Sequence, residues 1–168
     1  MTLRIAILTI SDRSSRGERE DLSGPALVAA ANQNGWNVVA TRIIPDDIGQ
    51  IKAVFEEWSD ADAADIILST GGTGFAPRDV TPEATQAVID RPAPGLAEAM
   101  RQASLRITPH AMLSRAVTGI RKRTIIINLP GSPKAALENL ATIQAVLPHA
   151  VDLLRESPSS EAGHVTVG

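Results

Sequence analysis

The sequence predicts an α/β fold with three α/β/α layers and a mostly parallel central sheet. Short β-branched runs recur along the chain, and between them lie segments with apolar residues at helical spacing. Two of the runs, Ile66-Ile67-Leu68 and Thr124 to Leu129, pass straight into glycine turns. A strand that ends in glycines just before a helix is where an open α/β sheet binds its ligand.

Leu3 to Ile10 is the first strand. It is short, contains Arg4 and lacks a small-residue cleavage site, so it reads as a buried strand and not as a signal sequence. Ser11 to Gly24 is polar and reads as a long loop. Pro25 stands at the first position of a helix that Gly35 closes. Trp36 to Ile44 is the second strand, and Pro45-Asp46-Asp47 turns the chain into a helix carrying Ile48, Ile51, Val54, Phe55 and Trp58. Asp65 to Ser69 is the third strand, apolar enough for burial on both faces. A short helix is expected from Thr81-Pro82 to Ile89, with Thr81 as its cap, and another from Leu96 to about Arg106 after the Pro92-Ala93-Pro94-Gly95 break. The last strong strand, Thr124 to Leu129, leads to Pro130-Gly131-Ser132-Pro133. There Ser132 caps and Pro133 opens a long helix kinked by Pro148. One domain over residues 1–156 and a frayed tail over 157–168 complete the reading.

Composition narrows the function. The chain has 168 residues, a net charge of −3 and 2% aromatics with no Tyr, which leaves neither the basic field nor the stacking surface that single-stranded nucleic acid needs. No apolar run reaches the roughly 20 residues of a membrane span. The absence of cysteine removes disulfides and thiolate chemistry and fits a cytoplasmic protein, and three scattered histidines make a poor zinc set. His110 reads as structural. The basic run Arg121-Lys122-Arg123 reads as solvated charge. An anionic substrate would therefore need cations gathered locally, near Arg78, Arg115 or Lys134.

In a parallel sheet the turns Thr70-Gly71-Gly72-Thr73-Gly74 and Pro130-Gly131-Ser132 share one edge, where backbone N–H groups and helix N-termini can hold a phosphate. Glycines also occur wherever a turn needs positive φ, so the pattern alone leaves both readings open. It does exclude a P-loop, because no lysine follows at the required spacing. It also excludes the dinucleotide fingerprint, whose third glycine is replaced by Pro77. Asp46 and Asp79 can reach the same edge, and paired carboxylates beside bound phosphates suit Mg2+. Capping is the competing role, for which Asp46 and Asp47 are both placed. Ser11 and Asp12, after the first strand, either join this edge or form an Asx turn.

Taken together, Ser69-Thr70-Gly71-Gly72-Thr73-Gly74 and Arg78-Asp79-Val80-Thr81-Pro82-Glu83-Ala84-Thr85 resemble the signature of the molybdopterin adenylyltransferases. These are the MogA-type enzymes and the equivalent domains of gephyrin and of the plant molybdenum-insertion protein. Leu8 to Asp12, Ile44-Pro45-Asp46, Met112 to Arg115 and Ile127 to Ser132 are similar in the same order. The resemblance implies a homotrimer that adenylylates molybdopterin with ATP and Mg2+, releases pyrophosphate and passes its product to a molybdenum-insertase partner. It implies catalytic, metal-holding roles for Asp46 and Asp79. It further implies substrate contacts from Ser11, Asp12, Thr70 to Gly74, Arg78, Ser114, Arg115, Pro130, Gly131, Ser132 and Lys134. A non-catalytic molybdopterin-binding homologue of the same fold is the alternative.

Overall fold

The structure, a computed structural model, describes residues 2–157; the expected tail lies outside the described residues except for Ser157. Six strands form one sheet: β1 (Arg4–Ile10), β2 (Asn37–Ile44), β3 (Ile66–Thr70), β4 (Arg91–Pro92), β5 (Thr118–Arg121) and β6 (Thr124–Leu129), in the order β2-β1-β3-β6-β5-β4. The four strands β2, β1, β3 and β6 run parallel, as expected, while β5 and β4 extend the sheet antiparallel beyond β6.

The helices are α1 (Asp12–Ser15), α2 (Ser23–Gln33), α3 (Ile48–Asp60), α4 (Thr81–Val88), α5 (Pro94–Leu105), α6 (Pro133–Ile143) and α7 (Leu147–Leu154), with a 3-10 turn over Pro109–Leu113. They cover both faces, so the side chains of the central strands alternate between two cores. Ile5, Ile7, Ile66, Leu68, Ile125 and Ile127 meet α2, α5, α6 and α7 through Leu27, Met100, Leu140 and Val151. Ala6, Leu8, Ile10, Ile67 and Ile126 meet α3 and α4 through Ile51, Phe55, Trp58 and Val88. The central strands β1, β3 and β6 are buried almost throughout, which is why they read as continuous apolar runs.

Several local expectations change. The loop from Ser11 contains α1, and α2 begins at Ser23, two residues before Pro25. The stretch Arg91–Pro92 is a strand, and the helix after it starts at Pro94 instead of Leu96. Pro148 does not kink one long helix but sits in the first turn of a separate one, α7, where its missing N–H costs nothing. Arg121 is not free surface charge: it holds Asp60 at 2.9 Å and the carbonyl of Val88 at 2.9 Å. Among the described residues no helix is long and apolar enough to cross a membrane.

Register places the site. Thr9 pairs with Thr70, which pairs with Leu129, and Ile10 pairs with Ile44. The carboxyl ends of all four parallel strands are therefore level. The segments that follow them, Ser11-Asp12, Pro45-Asp46, Gly71-Gly72 and Pro130-Gly131, leave the sheet side by side.

Candidate active site

The two glycine turns touch. Gly71 and Gly72 have φ of 105° and 66°, a region in which glycine is unstrained. A Cβ on Gly71 would lie 2.2 Å from the carbonyl oxygen of Ile10, and one on Gly131 would lie 3.3 Å from the Cα of Gly71. At Gly71 backbone approach this close leaves room only for hydrogen, and at Gly131 a side chain would press tightly on the other turn. The Thr70 hydroxyl donates to the carbonyl of Pro130 at 2.7 Å and joins the two turns.

Thr81 holds the first turn from behind and is not the cap of α4. Its N–H donates to the carbonyl of Gly72 at 3.1 Å and its hydroxyl to that of Gly71 at 2.9 Å, while Val80 occupies the cap position without a side-chain bond. The hydroxyl is engaged where the loop reverses, and α4 is left uncapped by side chains.

The two aspartates meet over this loop. A Cβ on Gly72 would come within 2.9 Å of Asp46 Oδ1, and one on Gly74 within 2.9 Å of Asp79 Oδ2. Both carboxylates line one cavity of about 350 Å³ with Thr9, Ser11, Thr70, Gly71, Gly72, Gly131 and Ser132. The capping role belongs to Asp47, which accepts from the Gln50 N–H at 2.8 Å. Asp46 instead exchanges backbone bonds with Asp12: the Asp12 N–H donates to Asp46 Oδ2 at 2.9 Å, and the Asp46 N–H to Asp12 Oδ1 at 3.1 Å. Asp79 Oδ2 accepts from the Ala76 N–H at 3.0 Å.

Charge is distributed unevenly. Burial pushes the Asp46 carboxyl above its ordinary value, and the neighbouring charges of Asp12 and Asp79 add to this against the bond from the Asp12 backbone. Asp12 moves the other way, because Arg78 holds both its oxygens at 2.8 and 2.9 Å. Asp46 is thus a carboxylate with like charges near it, and the Arg78 guanidinium that partly offsets them is hydrogen-bonded to Asp12 and not to Asp46. A divalent cation between Asp46 and Asp79 would relieve that repulsion. Among the described residues no group of three or more ligating side chains stands together.

The remaining expected site residues fall into three groups. Ser11 and Ser132 line the cavity and cap α1 and α6 by accepting from the N–H groups of Ser14 and Ala135. Thr73, Gly74, Ser114 and Pro130 line a second cavity of about 280 Å³, walled by Ile107, Ala111 and Leu113 and also by the exposed His110. Lys134, Arg78 and Arg115 line neither cavity. Lys134 faces solvent near Glu138, Arg78 is bound to Asp12, and Arg115 is turned onto the protein's own carbonyls.

Three charged residues that line the first cavity escaped the sequence reading: Arg19, Glu20 and Asp21. Asp21 lines the first cavity, accepting from the Thr9 hydroxyl at 2.7 Å and from the Gly24 N–H at 3.0 Å. The Asp21-x-Ser23-Gly24-Pro25 pattern marks a helix start, but nothing in it reveals the contact with Thr9.

Comparison with known proteins gives the family. Residues 6–149 match the family described as "Probable molybdopterin binding domain". The chain is 46% identical over 146 residues to the molybdopterin adenylyltransferase of Escherichia coli K12, covering 85% of this chain and 74% of that one. It is 43% identical to the gephyrin of Dictyostelium discoideum over 93% of this chain, which spans only 23% of that longer protein. The crystal structure of the molybdopterin biosynthesis enzyme MoaB from Thermus thermophilus superposes with a TM-score of 0.88 at 49% identity, covering 94% of this chain and 99% of that one. With the match spanning nearly all of the sheet and both glycine turns, the chain belongs to the molybdopterin-binding domain family.

Proposed function

We propose that this chain adenylylates molybdopterin: it joins the phosphate of the pterin to the α-phosphate of ATP, with Mg2+ bound, and releases pyrophosphate. The observation that carries the reading is the pair of carboxylates, Asp46 and Asp79, set over a glycine loop in one cavity. The 41–46% identity to proteins named molybdopterin adenylyltransferase supports it independently.

In this reaction a phosphate oxygen of the pterin attacks the α-phosphorus, and the bond to the β-phosphate breaks, its electron pair leaving with pyrophosphate. Both reactants are anions, so catalysis must come mainly from positioning and charge neutralisation. Mg2+ held by Asp46 and Asp79 would neutralise phosphate charge and stabilise the leaving group. The N–H groups of the glycine turns, Gly72 to Gly74 and Gly131, would supply further donors to phosphate oxygens, while that of Gly71 donates to the Leu129 carbonyl. Two cavities flank these turns, one carboxylate-lined and one with apolar walls, which suits one polyphosphate and one heterocyclic substrate.

The same reading gives the chain a cytoplasmic, homotrimeric form and a molybdenum-insertase partner that accepts the product. Exposed apolar side chains such as Phe75, Met112 and Ile107 support assembly.

The test is pyrophosphate release from ATP, Mg2+ and molybdopterin, with Asp79→Ala as the comparison. The wild type should release pyrophosphate and form adenylylated pterin. The variant should fold, bind pterin and lose roughly 3 kcal/mol of transition-state stabilisation, at least about a hundredfold in rate. A wild type that binds molybdopterin without turnover would make the chain a non-catalytic homologue. A variant with normal turnover would remove Asp79 from the chemistry.

A further inference from the structure

Arg115 matches a segment expected to contact substrate, yet its guanidinium is directed at the protein. Nε donates to the carbonyl of Gly74 at 2.7 Å and Nη2 to the carbonyl of Asp79 at 2.7 Å, and the outer edge pairs with Glu83. Its backbone N–H donates to the carbonyl of Thr73 at 2.9 Å. One residue therefore ties together positions 73, 74, 79 and 83, the two ends of the loop that carries Asp79. Inside that loop Asp79 is further tied by reciprocal bonds with Ala76, 3.0 Å from the Ala76 N–H and 2.9 Å from the Asp79 N–H.

We infer that Arg115 is a positioning residue that sets Asp79 over the glycine loop, and that it is not a substrate-binding cation. Three properties support this. Its donors in three directions are already engaged, in a planar arrangement that only a guanidinium provides. It lines neither cavity. And Glu83, which answers its charge, stands in the first turn of α4, so the contact fixes the loop to a helix packed in the core. The cost of losing it is geometric, since a misplacement near 1 Å at a reacting centre lowers rates by about a hundredfold.

The inference rests on the proposed adenylyl transfer for its kinetic arm only. In the full chain, Arg115→Ala should lower kcat by about tenfold or more and raise the Mg2+ concentration needed for activity, with KM for ATP and molybdopterin changed by less than about threefold. Arg115→Lys should not rescue, because a point charge cannot span two carbonyls and a carboxylate. Glu83→Gln, a milder change, should move kcat in the same direction, and adding it to Arg115→Ala should cost nothing further. Hydrogen exchange at the Ala76 and Asp79 amides should quicken by about tenfold in Arg115→Ala even if the wild type has no transferase activity, which separates this inference from the proposed function. A tenfold rise in KM for either substrate with kcat preserved, or rescue by lysine, would make Arg115 a substrate cation and overturn it. Unchanged amide exchange would overturn it equally. If Arg115→Ala does not fold, an unaltered kcat and exchange rate in Glu83→Gln would do the same.

Discussion

Gly74→Ala separates the site from the fold more cleanly than any other substitution in the loop. Gly74 does not share the positive φ of Gly71 and Gly72, so alanine costs little in the backbone. A Cβ there meets one atom within 4 Å, Asp79 Oδ2 at 2.9 Å. Ordinary contact begins near 3.4 Å, so the carboxylate must retreat by about 0.5 Å and strain its bond with the Ala76 N–H. Misplacement on that scale at a metal-holding group should lower kcat by about 10- to 100-fold, while stability changes by less than about 0.5 kcal/mol. Gly71→Ala offers the contrast: at φ 105° and 2.2 Å from a backbone carbonyl it should destabilise the whole domain. Urea unfolding of each variant, together with pyrophosphate release at saturating ATP and molybdopterin, gives both quantities. Gly74→Ala with wild-type kcat, or with a stability loss as large as that of Gly71→Ala, would refute the assignment of Asp79 to the chemistry through this loop.

Two predictions concern ionisation. Because burial and the charges of Asp12 and Asp79 raise the Asp46 pKa, protons should compete with Mg2+ at Asp46 at higher pH than at a free aspartate, seen as an acid limb of the activity profile that moves to lower pH as Mg2+ is raised. Asp46→Asn should abolish Mg2+ activation yet raise the urea midpoint near neutrality, since ionised Asp46 opposes folding; a lower midpoint would contradict this. Asp65, 1% exposed, is pushed up by burial, but hydrogen bonds from the Arg4 side chain and backbone and from Arg155 outweigh that and hold it below its ordinary value. Its ionised form therefore stabilises the fold above the unfolded pKa, and that contribution is lost as pH falls through the folded one. Asp65→Ala should cost about 2–3 kcal/mol at neutral pH, at or below the roughly 3–5 kcal/mol of a fully buried broken pair because Arg4 is partly exposed, and the cost should shrink in acid. A pH-independent loss would refute the ionic reading.

The parts of this fold legible in the sequence were those whose burial left a pattern. β1, β3 and β6 are covered on both faces, so Ile5 to Ile10, Ile66 to Leu68 and Thr124 to Leu129 stand out without structural knowledge. β5 and β4 did not stand out: one is four residues containing Gly119, the other two residues containing Pro92, and both take their strand character from pairing with β6 and with each other. The shared placement of the candidate residues was legible for the same reason as the strands, because residues at strand ends in a parallel sheet must share an edge. What each side chain does there was less so. Thr81 has the residue type and place of a helix cap, but the folded loop offers it the carbonyl of Gly71. Arg115 has the charge of a substrate contact, and in the structure its guanidinium donates to the carbonyls of Gly74 and Asp79, which no local rule foretells. Asp21 finds Thr9 only because β1 brings the end of the loop back to its beginning. Local rules name the candidates for each role, and long-range hydrogen bonds choose among them.

The central claim is that Asp46 and Asp79 share one divalent cation at the mouth of the glycine turns. The most direct measurement is an anomalous difference map from crystals grown with Mn2+ and a non-hydrolysable ATP analogue. A single strong peak is expected in contact with both carboxylates and with phosphate oxygens beside Gly71 and Gly72. A peak that touches neither aspartate while the nucleotide is bound would contradict it.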